Sequence, residues 1–533
     1  EMMGTGKMNR RNECQALDVQ LLKENHICGI RQEKLDLRAC EYKLRIIAKT
    51  SELVEIRVAL MENGIEDTNG STYSFTLHPG NWQKENFSIH IPKAGMYSLS
   101  ITFSKRARVT FGVLSMLPFD HFHGMRRDVI ECMKEIGISM LRWPGGNFAG
   151  EYRWQDGLLD ADERAPLEAY MENETQPYTN GYDYNEVGID EFIALCREIG
   201  AEPFLTINLA NASPEENAAW VEYCNGADDT RYGQLRAQRG HKDAYQVRYW
   251  SLGNEMGYGH MEGPMTPGQY VMLARRQMRA MLDVSPDLQL FSSGPYPSEE
   301  WGTKSAKELA ENVKYASLHH YTYVPLDYSS DEAAKNTCQA IMDAPKGAYR
   351  LIKEMRTCLG NNIHISFDEW NCWYAWYRPS SAAEGLYAAG MLQLFLNESN
   401  AMDMPVCCYF QPISEGAIEI KGNNCRLTAT GQVFSMLKAH CGGSLCPSLK
   451  NNSVTATIKD NILTISMIHT GQEEPRVFKI QIRGDLFDAK LLSTDSLLPH
   501  SRFEEKILSV SEIDGIFEVV LPPCSVACVK FRV

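Results

Sequence analysis

An α/β barrel of the (β/α)8 type, flanked by an N-terminal and a C-terminal β-sandwich, is the fold class this sequence predicts. Three observations carry it. Short strands and tight turns alternate up to about residue 117, helix-then-strand units repeat from 118 to 424, and β patterning returns from 425 to 533. A chain of 533 residues is also too long for one compact core.

The N-terminal β-domain is read over 26–117, with residues 1–25 left unassigned. EYKLRIIAKT (41–50), LVEIRVAL (53–60), STYSFTL (71–77), ENFSIHI (85–91), GMYSLSITF (95–103) and ARVTFGVLSM (107–116) read as strands separated by Asn-Gly, Pro-Gly and Lys-Ala-Gly turns. From 118 the rhythm changes. Amphipathic helices such as 124–136, 190–200, 267–282, 347–360 and 383–399 each precede an apolar strand: 138–143, 201–208, 288–294, 364–371 and 405–412 follow this rule or complete it. A long loop leads into 247–255, and a weaker helix into 315–322. Apolar strands alternating with helices are parallel βα units, and no dinucleotide glycine signature follows the first of them. Seven units are counted, one short of a closed barrel. The remaining strand is expected within 1–25, at 107–116, or upstream of Glu1.

Composition narrows the function. A formal charge of −15 argues against nucleic acid as a partner, because phosphate binding wants a basic face. No run of 18 apolar residues is present, so no membrane span is predicted. The 16 cysteines include no CxxC pair, and several lie in apolar runs (Cys196, Cys372, Cys407, Cys408), the pattern of a reduced, cytoplasmic protein. His121 and His123 lack a third ligand and read as loop residues, and no metal or cofactor is expected.

The chemistry sits at the strand ends. Barrel sites lie at the C-terminal ends of the strands, and those ends read RWPGGN, TIN, SLGNE, HHYTY, SFDEWN and YFQP. Glu255 closes YWSLGNE, and Glu369 lies in FDEWN. With ISMLRW as strand two, these are strands four and seven, on opposite sides of an eight-stranded barrel. Two opposed carboxylates are what glycoside cleavage needs, and a gap of about 5–5.5 Å between them makes the reaction retaining. Glu255 is expected to have a raised pKa while Glu369 is ionised nearby. Asn254 is placed to hydrogen-bond the sugar hydroxyl beside the reacting carbon. His319 and Tyr321, two apart, face the same way and can orient or charge-balance a carboxylate.

RWPGGNF (142–148), LGNEM (252–256), SLHHY (317–321) and FDEWNCWY (367–374), in that order, resemble the motifs of family 51 glycoside hydrolases, the α-L-arabinofuranosidases. Weaker likeness covers most of the chain. The resemblance implies a retaining barrel enzyme with Glu255 as acid/base and Glu369 as nucleophile. It implies that Arg142, Asn147 and Asn254 contact the furanose, that His319 and Tyr321 support the nucleophile, and that Trp373 walls the sugar site. Gln411 matches a substrate-binding glutamine once one gap is introduced. His320 receives no role. The N-terminal β-domain resembles a carbohydrate-binding insertion, and family likeness hints at a homo-oligomer. The family's first barrel strand carries a glutamate that contacts substrate, and 1–25 contain nothing comparable.

The expected activity is release of terminal α-L-arabinofuranosyl residues from plant polysaccharides or oligosaccharides. Rival readings are a retaining β-1,4-glycanase or β-xylosidase on the same barrel, with the 155–186 loop setting specificity, and a catalytically impaired carbohydrate-binding relic.

Overall fold

The computed structural model describes residues 16–23, 26–62, 65–66, 72–168, 182–257, 265–294, 299–373, 379–413, 416–451 and 453–533. The centre of the 155–186 loop therefore lies outside the described residues. The chain divides into two compact units. One comprises Glu1–Ile130, Arg153–Leu195 and Ile420–Asn424; the other comprises Glu131–Tyr152, Cys196–Glu419 and Cys425–Val533.

The first unit is built on two antiparallel sheets. One orders Leu17–Leu21, Ala107–Pro118, Glu41–Thr50 and Gln83–His90. The other is built from Cys28–Leu37, Gly95–Phe103, Val54–Glu62 and Thr72–Leu77. Alternate residues such as Leu44, Ile46, Val54, Ile56 and Val58 turn into a shared apolar core, as period-two patterning requires. This corrects two expectations. Residues 107–116 do not complete the barrel, because Ala107–Pro118 pairs in antiparallel fashion with Leu17–Leu21 and with Glu41–Thr50. Leu17–Leu21, left unassigned from sequence, is a sandwich strand and not a barrel strand. The 153–168 segment belongs to the same unit, where Arg45 bonds Asp160 and Asp162 and Lys84 pairs with Glu163.

The second unit holds a seven-stranded parallel sheet ordered Met140–Trp143, Glu202–Thr206, Tyr249–Ser251, Gln289–Ser292, Val313–Thr322, His364–Cys372 and Val406–Tyr409. The outermost two strands approach each other without pairing, so the sheet is a nearly closed barrel with a seam. Its interior is filled by one residue or more from almost every strand. Phe204, Phe291 and Val406 pack with Met140, Tyr249, Tyr315 and Cys408, and the Phe291 and Tyr315 rings stack at 4.2 Å.

Helices form where caps and apolar spacing coincide. Thr266 and Gln269 make a reciprocal capping box for Pro267–Val284, and Tyr270, Ala274, Met278 and Met281 line its buried face. The stretch read as a long loop before Tyr249 contains a short helix, Arg231–Gln238, which Thr230 caps through the Gly233 N–H. Ala382–Met402 is apolar nearly all round, because it is packed on several sides. Its Leu386, Ala389 and Phe395 share a core with Leu492 and Val526 of the C-terminal sheets. Those sheets have six and three strands within 444–532. No described helix is long and apolar enough to cross a membrane.

Candidate active site

The RWPGGN end shows how the backbone aims side chains. Gly145 and Gly146 both have positive φ (58° and 56°), a conformation that costs glycine little. The turn leaves Arg142 on the strand and brings Asn147 beside it. Arg142 Nη2 donates to Asn254 Oδ1 at 2.7 Å, and Asn254 Nδ2 donates to Asn147 Oδ1 at 3.2 Å.

The SLGNE end is more constrained. Gly253 lies at φ 83°, and a Cβ there would stand 2.9 Å from Met256 Sδ and 3.0 Å from Leu209 Cβ. Glu255 itself lies at φ 46°, a left-handed conformation that bulky residues rarely adopt outside functional sites. The surroundings hold it there. The Tyr270 hydroxyl donates to Leu252 O and accepts from Ser293 N, while Ser293 Oγ accepts from Met256 N. Asn208, at the TIN end, serves the scaffold, since its Nδ2 donates to Tyr152 O.

Glu255 and Glu369, both buried, converge on His319. The imidazole Nδ1 is 2.7 Å from Glu255 Oε1 and 3.2 Å from Glu369 Oε2, and one ring nitrogen of His319 and one carboxylate oxygen of each glutamate lie within 4.8 Å of one another. The Tyr321 hydroxyl donates to Glu369 Oε1, and Arg142 Nη1 donates to Glu369 Oε2 at 3.3 Å. Trp373, 42% exposed, meets the Tyr321 ring edge-to-face at 5.9 Å. Gln411 is half-buried just beyond the last strand and hydrogen-bonds none of these groups.

Two residues that sequence reasoning missed complete the cluster. Asp368 is fully buried, accepts from Ser317 Oγ at 2.6 Å, and lies 3.6 Å from Arg142 Nε. In a regular strand, neighbours such as Asp368 and Glu369 point to opposite faces. Here the register with the preceding strand slips between Ser317 and His319, and with the following strand between Phe367 and Trp370. Such irregularities re-aim side chains, and both carboxylates reach Arg142. The Asp-Glu pair was the available signal, but an unbroken alternation hides it.

Burial dominates the electrostatics. It raises the Glu369 pKa, as does the charge of Glu255, while His319, Arg142 and the Tyr321 hydroxyl oppose the rise. Burial alone would neutralise His319, yet Glu369, the hydrogen bond with Glu255, and Asp368 outweigh it and raise that pKa. Burial and the neighbouring Glu369 push the Tyr321 phenol well up, so it remains a donor. Glu255, His319 and Glu369 also have the spacing of a divalent-cation donor set.

Paired carboxylates in the mouth of a parallel α/β barrel are the arrangement that glycoside cleavage uses. Residues 132–336 match the model described as the alpha-L-arabinofuranosidase 1 domain. The chain is 30% identical over 321 residues to a probable alpha-L-arabinofuranosidase C of Aspergillus terreus, covering 56% of this chain and 61% of that protein. It is 33% identical over 274 residues to an intracellular exo-alpha-(1->5)-L-arabinofuranosidase of Streptomyces lividans, covering 47% of this chain and 38% of that one. The solved family 51 α-L-arabinofuranosidase of Thermotoga petrophila is similar with a TM-score of 0.65 at 26% identity, over 78% of this chain and 91% of that chain. The chain thus spans about three fifths of the length of the first curated relative. The matched model, these relatives and the solved structure all carry the α-L-arabinofuranosidase name, the family whose motifs this sequence resembles.

Proposed function

We propose that the protein is a retaining, exo-acting α-L-arabinofuranosidase that releases terminal arabinofuranosyl residues from plant polysaccharides or oligosaccharides. One observation carries the reading. Carboxylate oxygens of Glu255 and Glu369 lie within 4.8 Å of each other, which fits the short separation of retaining enzymes and leaves little room for the water of an inverting one.

Glu369 is the nucleophile. Its two oxygens are held by Tyr321 and Arg142, and it attacks the anomeric carbon while Glu255 protonates the departing glycosidic oxygen. The glycosyl–Glu369 ester is then hydrolysed by water that Glu255 deprotonates. Once the ester forms, Glu369 carries no charge, and Glu255 loses the repulsion that favoured its protonated form. Asn254, set between Arg142 and Asn147, presents its amide to the sugar hydroxyls, and Trp373 supplies a wall. The scheme uses two carboxylates and calls for no metal. The proposed substrates are arabinose-containing glycans, in line with the named activity of the relatives.

A cytoplasmic location is proposed from the fifteen described cysteines, all free thiols, and from the word intracellular in the name of the Streptomyces relative. Hydrolysis of an aryl α-L-arabinofuranoside, assayed beside an aryl xyloside and soluble cellulose, tests the reading. Expected is turnover of the first substrate that Glu369→Ala abolishes. Near-normal turnover by that variant, or preference for xyloside or cellulose, overturns it.

A further inference from the structure

We propose that Asp368 and Ser317 are positioning residues which fix the ring of His319 with a proton on Nε2, so that Nδ1 shares a single proton with Glu255. The inference concerns the acid step and rests, for its kinetic part, on the hydrolase reading above.

The starting point is a count of hydrogens. Ser317 has one hydroxyl hydrogen, and the two oxygens that take it, Asp368 Oδ1 at 2.6 Å and, farther off, Gly294 O at 3.3 Å, are both acceptors. That hydrogen therefore goes to Asp368, and Ser317 Oγ is left with lone pairs. His319 Nε2 stands 3.1 Å from the same oxygen. Two acceptors cannot bond each other, so Nε2 carries hydrogen. A carboxylate acting through a hydroxyl thus selects the tautomer, as a directly bonded carboxylate does in other histidine sites.

The other ring nitrogen then faces two carboxylates, Glu255 Oε1 at 2.7 Å and Glu369 Oε2 at 3.2 Å. A bare Nδ1 lone pair beside those oxygens would be repelled. One proton on the line from Nδ1 to Glu255 removes the conflict, and it is the proton that Glu255 must give to the leaving group. His319 holds it in place without touching the sugar.

The groups facing this proton come from several strands. Glu255, Glu369 and Asp368 are the acids, and Arg142 is the fixed cation. Tyr321 bonds Glu369, and the buried thiols of Cys407 and Cys408 stay neutral because burial raises both. Three carboxylates against one guanidinium leave a net negative field at His319, which favours retention of the proton. Asp368 is the member of that field held by Ser317. Its replacement by asparagine removes a charge at nearly constant volume. It also supplies an amide donor to Ser317, whose hydroxyl is then free to donate to Nε2 in competition with Gly294 O at 3.3 Å, so the tautomer is no longer fixed.

The test compares wild type with Asp368→Asn and Ser317→Ala, using 15N-histidine spectra and leaving-group dependence. In wild type, the His319 signal, assigned by its loss in His319→Gln, should show protonated Nε2. In Asp368→Asn a share of it should move to hydrogen on Nδ1. On an alkyl arabinofuranoside, kcat of Asp368→Asn should fall about 10-fold or more, less than where the wrong tautomer is imposed outright. On a 2,4-dinitrophenyl arabinofuranoside, whose leaving group needs no proton, the loss in the glycosylation step should be within about threefold. The alkaline limb of kcat/KM should move to lower pH in Asp368→Asn and move less in Ser317→Ala, which keeps the charge. Equal losses on both substrates with an unmoved alkaline limb would mean that Asp368 only supports the fold, and the proposal would fall. An Nδ1-protonated tautomer in wild type would sink it without any assay. Failure of wild type to cleave arabinofuranosides would instead count against the proposed activity, leaving the spectroscopic result to decide the relay.

Discussion

The barrel carries two layers of opposite character on the same seven strands. Below, Phe204, Phe291, Tyr315 and Val406 form an apolar plug held by ring stacking. Above, Arg142, Glu255, His319, Asp368 and Glu369 form a charged cluster held by directional bonds. The lower layer needs only the right volume. The upper one needs each group within a few tenths of an ångström. The Arg142 guanidinium lies 5.8 Å from the Phe204 ring centre, so the plug is the floor on which the charged layer stands.

The difference can be broken by variants that strike one layer and spare the other. The largest effect is expected from Glu369→Ala, which should lower kcat by about 10⁴-fold or more, as removal of a covalent nucleophile does; aryl arabinofuranoside turnover measures it. Phe291→Ala strikes the plug instead. A buried aromatic lost from a packed core costs about 3–5 kcal/mol, to be read as a lowered denaturation midpoint, while kcat of the molecules still folded should stay within a fewfold of wild type. If that kcat collapses, the layers are not separable.

A smaller loss is expected from Tyr321→Phe. A hydrogen bond to a charged group is worth about 1.5–3 kcal/mol, so kcat/KM should drop about 10–150-fold. Without that donor the acid form of Glu369 gains, and the acid limb of the rate profile should move to higher pH. The mildest effect is visible in the wild type alone. Burial and Glu255 raise the Glu369 pKa, so activity should be lost as pH falls through a value above the ordinary carboxylate range. A limb at or below that range would show that Tyr321, His319 and Arg142 outweigh burial.

Much of the upper layer was legible because its residues stand at strand ends, where a polar or charged side chain breaks an apolar run. Arg142, Asn147, Asn254, Glu255, His319, Tyr321 and Glu369 are drawn together as read. Ser317 and Asp368 were not legible, since they lie inside strands and reach the cluster only through slips in register that side-chain alternation does not reveal. Gln411 was placed near the right strand but bonds none of the cluster. The sandwich strands Leu17–Leu21 and Ala107–Pro118 expose a second limit. Alternation marks a segment as a strand, but its partner is decided by packing between segments about 90 residues apart. The helix Arg231–Gln238 was missed because a single threonine cap, not apolar spacing, defines its start.

Among the described residues, the seam between Met140–Trp143 and Val406–Tyr409 leaves each of these strands with one hydrogen-bonded neighbour in the sheet. A border strand slides and frays more easily than one clamped on both sides. Arg142 rides on that border, so any play in it reaches the grip on Glu369 directly. Amide exchange along Met140–Trp143 would thus gauge how firmly the guanidinium is seated.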